Sequence, residues 1–253
     1  MSLASLSSLG HYASFNTLYI PPGPLSGSLL FGADGYISTV TRNNLSSSNF
    51  TAECWIYLNT LPTAMATLLT IGSGSTGLLL QIYATNNSTT AKRSRVGWVF
   101  GSNAEGYGIT QLTAGAWHHI AFVNYSSSVR LYINGKYDNF QNISGTTINN
   151  VNMKIGANTN NSALFQNYMT GIRITSKSVY SGGTITGGTQ QIFTPPLCPI
   201  PISQSASTNI TDLNGTDAVF LMRMLKTNYF TEATAGTAVT VTGTVTGNEL
   251  TPN

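Results

Sequence analysis

The strongest constraint on this chain is its punctuation. Short runs rich in Val, Ile, Leu, Tyr, Phe and Trp are cut by clusters of Gly, Asn, Ser and Pro at roughly 8–12-residue intervals, the pattern of an all-β sandwich or barrel. No segment sustains a 3.6-residue apolar period between helix caps, so helices are excluded as the main building unit. The candidate strands are 28–32, 36–40, 50–58, 66–72, 77–83, 95–101, 117–125, 129–135, 136–140, 153–158, 168–175, 218–225 and 237–247. Within VRLYINGKYDNF, Asn134 and Gly135 suit the two positive φ angles of a type I′ turn, which predicts a hairpin. TAVTVTGTVT alternates Val with Thr and reads as one half-buried strand or a hairpin through Thr242 and Gly243.

A chain so poor in charge must still justify a core. Charged residues make up 8% of the 253, against about 25% in an average soluble domain. Hydrophobic residues at 41% and aromatics at 10% supply ample core material, which excludes bulk disorder. The net charge of +3 arises from 11 bases and 8 acids, so it reflects scarce acids. The one basic cluster is Lys92, Arg93 and Arg95, too small for a nucleic-acid face, and no nucleic-acid partner is expected. No apolar run reaches the ~18–20 residues of a membrane helix, so membrane insertion is not expected. The opening MSLASLSSLGHYASF has no basic n-region and a broken apolar stretch, so no secretory signal is expected. Two cysteines cannot build a disulfide framework or a CxxC zinc site; Cys54 and Cys198 are expected as free, buried thiols.

Three stretches stand apart from the strands. Residues 1–24 end in PPGP and read as an N-terminal arm before a sandwich over 25–253. Residues 181–215 read as a crossing loop pinned by Phe193 and the prolines of FTPPLCPIPI. Residues 85–95 form a loop that carries the basic cluster.

The chemistry is sparse. Glycoside hydrolysis needs two carboxylates roughly 5–10 Å apart, which on one strand means acids at i and i+2 or i+4. The acids are Asp34, Glu53, Glu105, Asp138, Asp212, Asp217, Glu232 and Glu249, and no two have that spacing. Adjacent His118 and His119 face opposite sides of a strand and cannot share a metal; one is expected beside the core and the other outward. No G-x-S-x-G elbow occurs. GSGSTG at 72–77 lacks the G-K-[ST] ending of a phosphate loop and reads as a hairpin loop. No catalytic or metal-binding residue is therefore assigned. Arg93 and Arg95 at a strand entry, with Tyr107 in a GYG loop, are the candidate ligand- or partner-binding residues, because Arg and Tyr anchor interfaces.

Several elements occur in a recognisable order: Glu53-Cys54-Trp55-Ile56, Trp117-His118-His119-Ile120-Ala121, Leu131-Tyr132-Ile133-Asn134-Gly135-Lys136, Gly171-Ile172-Arg173-Ile174, Tyr180 and Phe193-Thr194-Pro195-Pro196. Over about residues 28–245 the chain resembles the laminin-G/concanavalin A-like jelly-roll family, in the variant found in bacteriophage structural and tail proteins. The resemblance implies an antiparallel two-sheet jelly roll. Trp55 and Trp117 would be large anchors on its inner faces, and Tyr132, Asn134 and Gly135 would belong to its structural core. It implies a structural role for the His pair.

The resemblance also implies a non-catalytic virion protein, on a capsid or tail appendage, that binds other virion proteins and copies of itself. The alternative is a host-glycan adhesin, and a polysaccharide-cleaving enzyme is a third reading. Relatives often bind calcium. Asp34 and the Asn-rich GANTNN turn offer oxygens, but the shortage of acids argues against a tight site, so no cofactor is assigned. An enzyme needs a facing acid pair in a groove, whereas an adhesin needs accessible aromatics beside amide groups.

Overall fold

The computed structural model describes residues 27–39, 45, 49–72, 77–101, 104–143, 148, 152–183, 190–225, 229 and 239–252. The expected N-terminal arm lies outside the described residues.

Two antiparallel sheets form the sandwich. The first has eight strands: β10 (Lys136–Asn142), β9 (Ser128–Ile133), β8 (Trp117–Tyr125), β3 (Asn49–Tyr57), β12 (Tyr168–Thr175), β1 (Ser28–Phe31) and β15 (Val245–Asn248) in spatial order, with β13 (Ala218–Met222) also pairing β12. The second runs β14 (Thr240–Thr242), β2 (Tyr36–Ser38), β11 (Met153–Ile155), β4 (Ala66–Ile71), β5 (Leu78–Ile82), β6 (Arg95–Phe100) and β7 (Ala104–Gln111). Asn134 and Gly135 join β9 to β10 with φ of 53° and 74°, both left-handed.

Period-two alternation decides what enters the core. Phe50, Ala52, Cys54 and Ile56 of β3 point between the sheets with Ile120 and Phe122 of β8, and they meet Leu78, Leu80, Trp98 and Phe100 from the other sheet. That parity sends Trp55 the other way. Trp55 and Trp117, expected on inner faces, instead lie half-buried on the outer face of the eight-stranded sheet. The tryptophan of the inter-sheet core is Trp98, which packs 6.0 Å from Phe122 between ring centroids. Trp55 packs beneath the proline-rich crossing segment, against Cys198, Ile200 and Leu221, and donates from Nε1 to the Pro196 carbonyl at 3.0 Å. Trp117 packs against Tyr57 at 5.6 Å.

The crossing segment gives this outer face a second core. Tyr132, Tyr137, Val179, Tyr180, Ile192 and Phe193 form it, with the Phe193 ring stacked on Tyr180 at 3.7 Å and 4°. Tyr132 is thus fully buried, but in this outer cluster and not between the sheets.

Two further expectations are corrected. TVTGTVT is neither one strand nor a hairpin. β14 pairs β2 in one sheet and β15 pairs β1 in the other, so the chain changes sheets at Gly243, whose φ is 66°. The β1–β2 link makes the same change beside it, and the two corners are joined by Gly32 N donating to Thr244 O at 2.7 Å and Thr244 N donating to Asp34 Oδ1 at 2.9 Å. The expected GYG loop is the strand β7. Its glycines are there for close approach: a Cβ on Gly106 would fall 2.1 Å from the Trp98 ring, and one on Gly108 2.0 Å from the Asp138 carboxylate.

The sandwich is closed along one side. β7 bulges away from β6 between Tyr107 and Gln111. Asp138, itself at a bulge in β10, accepts the amides of Ile109 and Thr110, each at 3.0 Å. Asn139 donates to the Tyr107 carbonyl at 2.6 Å. Burial raises the Asp138 pKa against the opposing pull of these amides.

Candidate functional site

Strand register lines up a row of side chains across the outer face of the seven-stranded sheet. Thr240 pairs with Ser38, Ser38 with Lys154, Lys154 with Thr70, Thr70 with Leu79, Leu79 with Val99, and Val99 with Glu105. At about 4.8 Å per strand this row spans about 29 Å. Its middle borders a shallow groove of about 180 Å³ lined by Thr70, Leu79, Val99, Asn158 and Thr159.

A tyrosine cluster sits at the Glu105 end. Gln81, Gly97 and Tyr107 form the neighbouring row. Gly97 has no side chain because the Tyr83 ring lies on it: a Cβ there would come within 2.2 Å of the ring. The Tyr83 hydroxyl donates to Glu105 Oε1 at 2.7 Å, and Lys92 Nζ reaches the same oxygen at 2.5 Å. That ammonium also lies 5.0 Å from the Tyr83 centroid and 5.8 Å from that of Tyr107, within cation–π range. The bonds from Lys92 and Tyr83 hold the Glu105 carboxyl below its ordinary pKa, while burial and Glu105 push the Tyr83 phenol up. Glu105 therefore stays ionised, with its side chain 51% exposed and Oε2 uncommitted among the described residues.

The basic cluster is organised differently from the sequence expectation. Tyr107 belongs to this face, but from within a strand. Lys92, part of the basic cluster but not among the candidate binding residues, is the cation in contact with it. Arg93 donates from Nε to Asn87 O at 2.8 Å, and Arg95 reaches Gly108 O at 3.4 Å, so both serve neighbouring backbone.

A second constellation is buried on the opposite sheet. Arg173 donates from Nε to Glu53 Oε1 at 2.7 Å, and its Nη2 lies 2.7 Å from the same oxygen. Glu53 Oε2 takes Tyr180 OH at 2.7 Å and His119 Nε2 at 2.9 Å. The remaining guanidinium donors reach Pro201 O at 2.9 Å and Gln204 Oε1 at 3.0 Å, both on the crossing segment. A bulge in β12 between Thr170 and Arg173, with Gly171 at φ 56°, aims Arg173 across at Glu53. Burial pushes the Glu53 carboxyl up, but Arg173, His119 and Tyr180 outweigh it and bring the pKa down to about 2. Within this set Arg173 holds the crossing segment, through Pro201 O and Gln204 Oε1, while Glu53 ties Arg173, Tyr180 and His119 together, and His119 Nδ1 has no hydrogen-bond partner among the described residues. Neither histidine faces solvent: His118, expected inside or outside as partner to His119, is 6% exposed and bonds Thr113 O at 3.0 Å, and His119 is 0% exposed.

The oxygens considered for calcium also have partners. Asp34 Oδ1 caps the Thr244 amide. Asn158 Oδ1 accepts from the Asn160 and Ser162 amides at 3.0 and 2.9 Å, and the Lys154 ammonium bonds Thr159 O at 2.7 Å and Asn161 Oδ1.

Comparisons with known proteins agree with this architecture. A family model described as the concanavalin A-like lectin/glucanases superfamily matches residues 31–181. The fold is similar to a Bacteroides ovatus ATCC 8483 protein provisionally described as carbohydrate binding, with TM-score 0.59 and 14% identity, over 90% of this chain and 62% of that one. This chain thus spans less than two thirds of that protein. It is also similar to a heptameric SAP-like pentraxin from Limulus polyphemus, with TM-score 0.54 and 8% identity, over 88% of this chain and 95% of that one. No curated protein sequence matches the chain.

Proposed function

This chain belongs to the concanavalin A-like lectin/glucanases superfamily, and from that premise we propose that it binds glycans without cleaving them. The carrying observation is the cluster of Tyr83, Tyr107, Lys92 and Glu105 on the outer face of the seven-stranded sheet. Tyr83 is buried, but the half-buried Tyr107 ring offers an apolar platform for the C–H face of a sugar, and the adjoining ionised Glu105 accepts its hydroxyls. The description of the Bacteroides protein fits this reading.

The non-catalytic part of the proposal is supported by the partners of the described acids. Glu53 and Asp138 are buried and occupied. Asp212 and Asp217 share Lys177, at 3.9 and 3.0 Å. Glu105 is open at Oε2, but its charged and hydrogen-bonding neighbours are Lys92 and Tyr83, and no second acid among the described residues acts on its carboxyl. A retaining or inverting pair would need two carboxylates free to face one bond.

A setting on a virion surface, as adhesin or structural component, rests on the sequence resemblance alone and is part of the proposal. Quantitative mass spectrometry of purified particles from the source tests it: absence from particles overturns that setting.

The glycan reading is tested by titrating the protein and Tyr107→Ala with a panel of oligosaccharides. Binding by the parent and at least a tenfold loss in the variant is expected. Unchanged binding by Tyr107→Ala would place the site elsewhere.

A further inference from the structure

We infer that this face takes an extended, linear oligosaccharide along its row of side chains, with Tyr36 as a second ring platform at the end opposite Tyr107. The inference rests on the glycan reading above and goes further by naming the form of the ligand and a binding residue at the far end.

The two ends of the face are built alike. At one end the Lys92 ammonium lies 5.8 Å from the Tyr107 centroid, and at the other the Lys154 ammonium lies 5.8 Å from the Tyr36 centroid. Both rings are half-buried, and both stand on the outer face, since Ile37 and Trp98 of the same rows' strands point into the core. Tyr36 precedes Ser38 on β2, and Tyr107 follows Glu105 on β7, each by two positions. Every strand from β2 through β11, β4, β5 and β6 to β7 is antiparallel to the next, so β2 and β7 run in opposite directions. A step back along one and a step forward along the other therefore lead to the same side of the row. The five strand spacings between them put the two tyrosine positions about 24 Å apart at about 4.8 Å each.

What lies between them suits a chain. Leu79 and Val99 pair across β5 and β6 on the solvent side and are half-buried, an apolar stretch in the middle of the row. The groove beside Thr70 continues it towards Lys154. The turn that carries Asn158 and Thr159 walls this path on the side of the two rings. It is held there by Thr70 Oγ1 donating to Ala157 O at 2.9 Å, Thr67 N to Ala163 O at 2.7 Å and Lys154 Nζ to Thr159 O at 2.7 Å. A compact sugar meets one ring and leaves the stretch between uncovered. An extended chain lays its C–H faces on both rings and on Leu79 and Val99, with hydroxyls beside Asn158 and Thr159.

The test titrates the full chain, Tyr36→Ala, Tyr36→Phe and Tyr107→Ala by calorimetry with disaccharides and hexasaccharides of the cello, manno, xylo and galacturono series. Thermal melts check folding. In a series that binds, the hexasaccharide should bind roughly thirtyfold more tightly than the disaccharide, with one protein per chain. Tyr36→Ala should weaken the hexasaccharide at least tenfold and leave the disaccharide unchanged, Tyr36→Phe should keep the parental values, and Tyr107→Ala should weaken both. Leu79→Asn, midway along the path, is the second variant and should weaken the hexasaccharide alone. Equal affinity of the parent for the two lengths would overturn the extended ligand and leave the glycan reading standing. A length gain kept in full by Tyr36→Ala would overturn the second platform, and one kept by Leu79→Asn would overturn the path. No binding in any series would overturn the glycan reading itself, and this inference with it.

Discussion

Replacing Glu53 with glutamine tests whether the buried ion cluster holds the crossing segment. The substitution keeps the side-chain length and one acceptor oxygen, so the loss is mainly the charge that faces Arg173. Both side chains are 0% exposed, which leaves the guanidinium uncompensated. Breaking such a buried pair costs about 3–5 kcal/mol, and retained bonds from Arg173 to Pro201 O and Gln204 Oε1 favour the lower end.

Proton linkage gives a second route to the magnitude. The Glu53 pKa falls from 4.5 to about 2 on folding, worth roughly 3 kcal/mol at about 1.4 per unit. Because the folded value is the lower one, this stability is fully present above pH 4.5 and is lost as pH falls towards 2.

Urea unfolding of parent and Glu53→Gln at neutral pH should therefore differ by about 3 kcal/mol, with a melting drop of roughly 6–12 °C for a chain of this size. The parent should also lose stability between pH 4.5 and 2 more steeply than the variant. Adding Arg173→Met to Glu53→Gln should recover part of the loss, since no buried cation then remains unpaired. A loss below about 1 kcal/mol, or parallel acid limbs in parent and variant, would refute the reasoning.

Other perturbations address separate parts of the molecule. Asp138→Ala leaves the part-buried Ile109 and Thr110 amides without their acceptor, and a loss of roughly 1–3 kcal/mol in urea unfolding is expected. Gly97→Ala pushes a Cβ into the buried Tyr83 ring and should displace its hydroxyl from Glu105; a loss of roughly 1–3 kcal/mol in urea unfolding is expected. Gly135→Ala places a side chain at φ 74° and against the Phe193 carbonyl, and should destabilise by roughly 1–3 kcal/mol in the same unfolding assay.

Much of the scaffold was legible because it rests on local rules. Apolar alternation marked most strands, and Asn134-Gly135 marked a turn that only left-handed backbone can make. What escaped depends on chain separated by long intervals. Alternation shows that Trp55 and Cys54 face opposite ways, but not which way is inside; the phase is fixed by Phe50, Ala52 and Ile56 meeting the other sheet. β7 was hidden by glycines that read as loop signals but make room for Trp98 and Asp138. TVTGTVT has the period of a strand pair, and only the partners β1 and β2 show that it changes sheets.

The site was less legible than the fold. Tyr107 drew notice as a tyrosine in a GYG segment; Glu105 stands two residues before it on β7, on the same face, and Lys92 reaches both from the short 3-10 turn Thr90–Lys92, an arrangement hidden once the segment is read as a loop. Glu53 and Arg173 stood inside recognised motifs, but their contact joins residues 120 apart, which no spacing rule detects.

The Asp138 closure also governs how copies of the chain can meet. An edge strand with free amides is a template on which another chain can add a strand and start an aggregate. Here the β7 positions that would serve as template are capped from within, the amides of Ile109 and Thr110 by Asp138 and the Tyr107 carbonyl by Asn139. A bulge beneath them bends the strand out of register for any newcomer. The same two side chains that join the sheets therefore keep this rim unreactive towards other molecules, and a chain lacking both would be prone to polymerise through it.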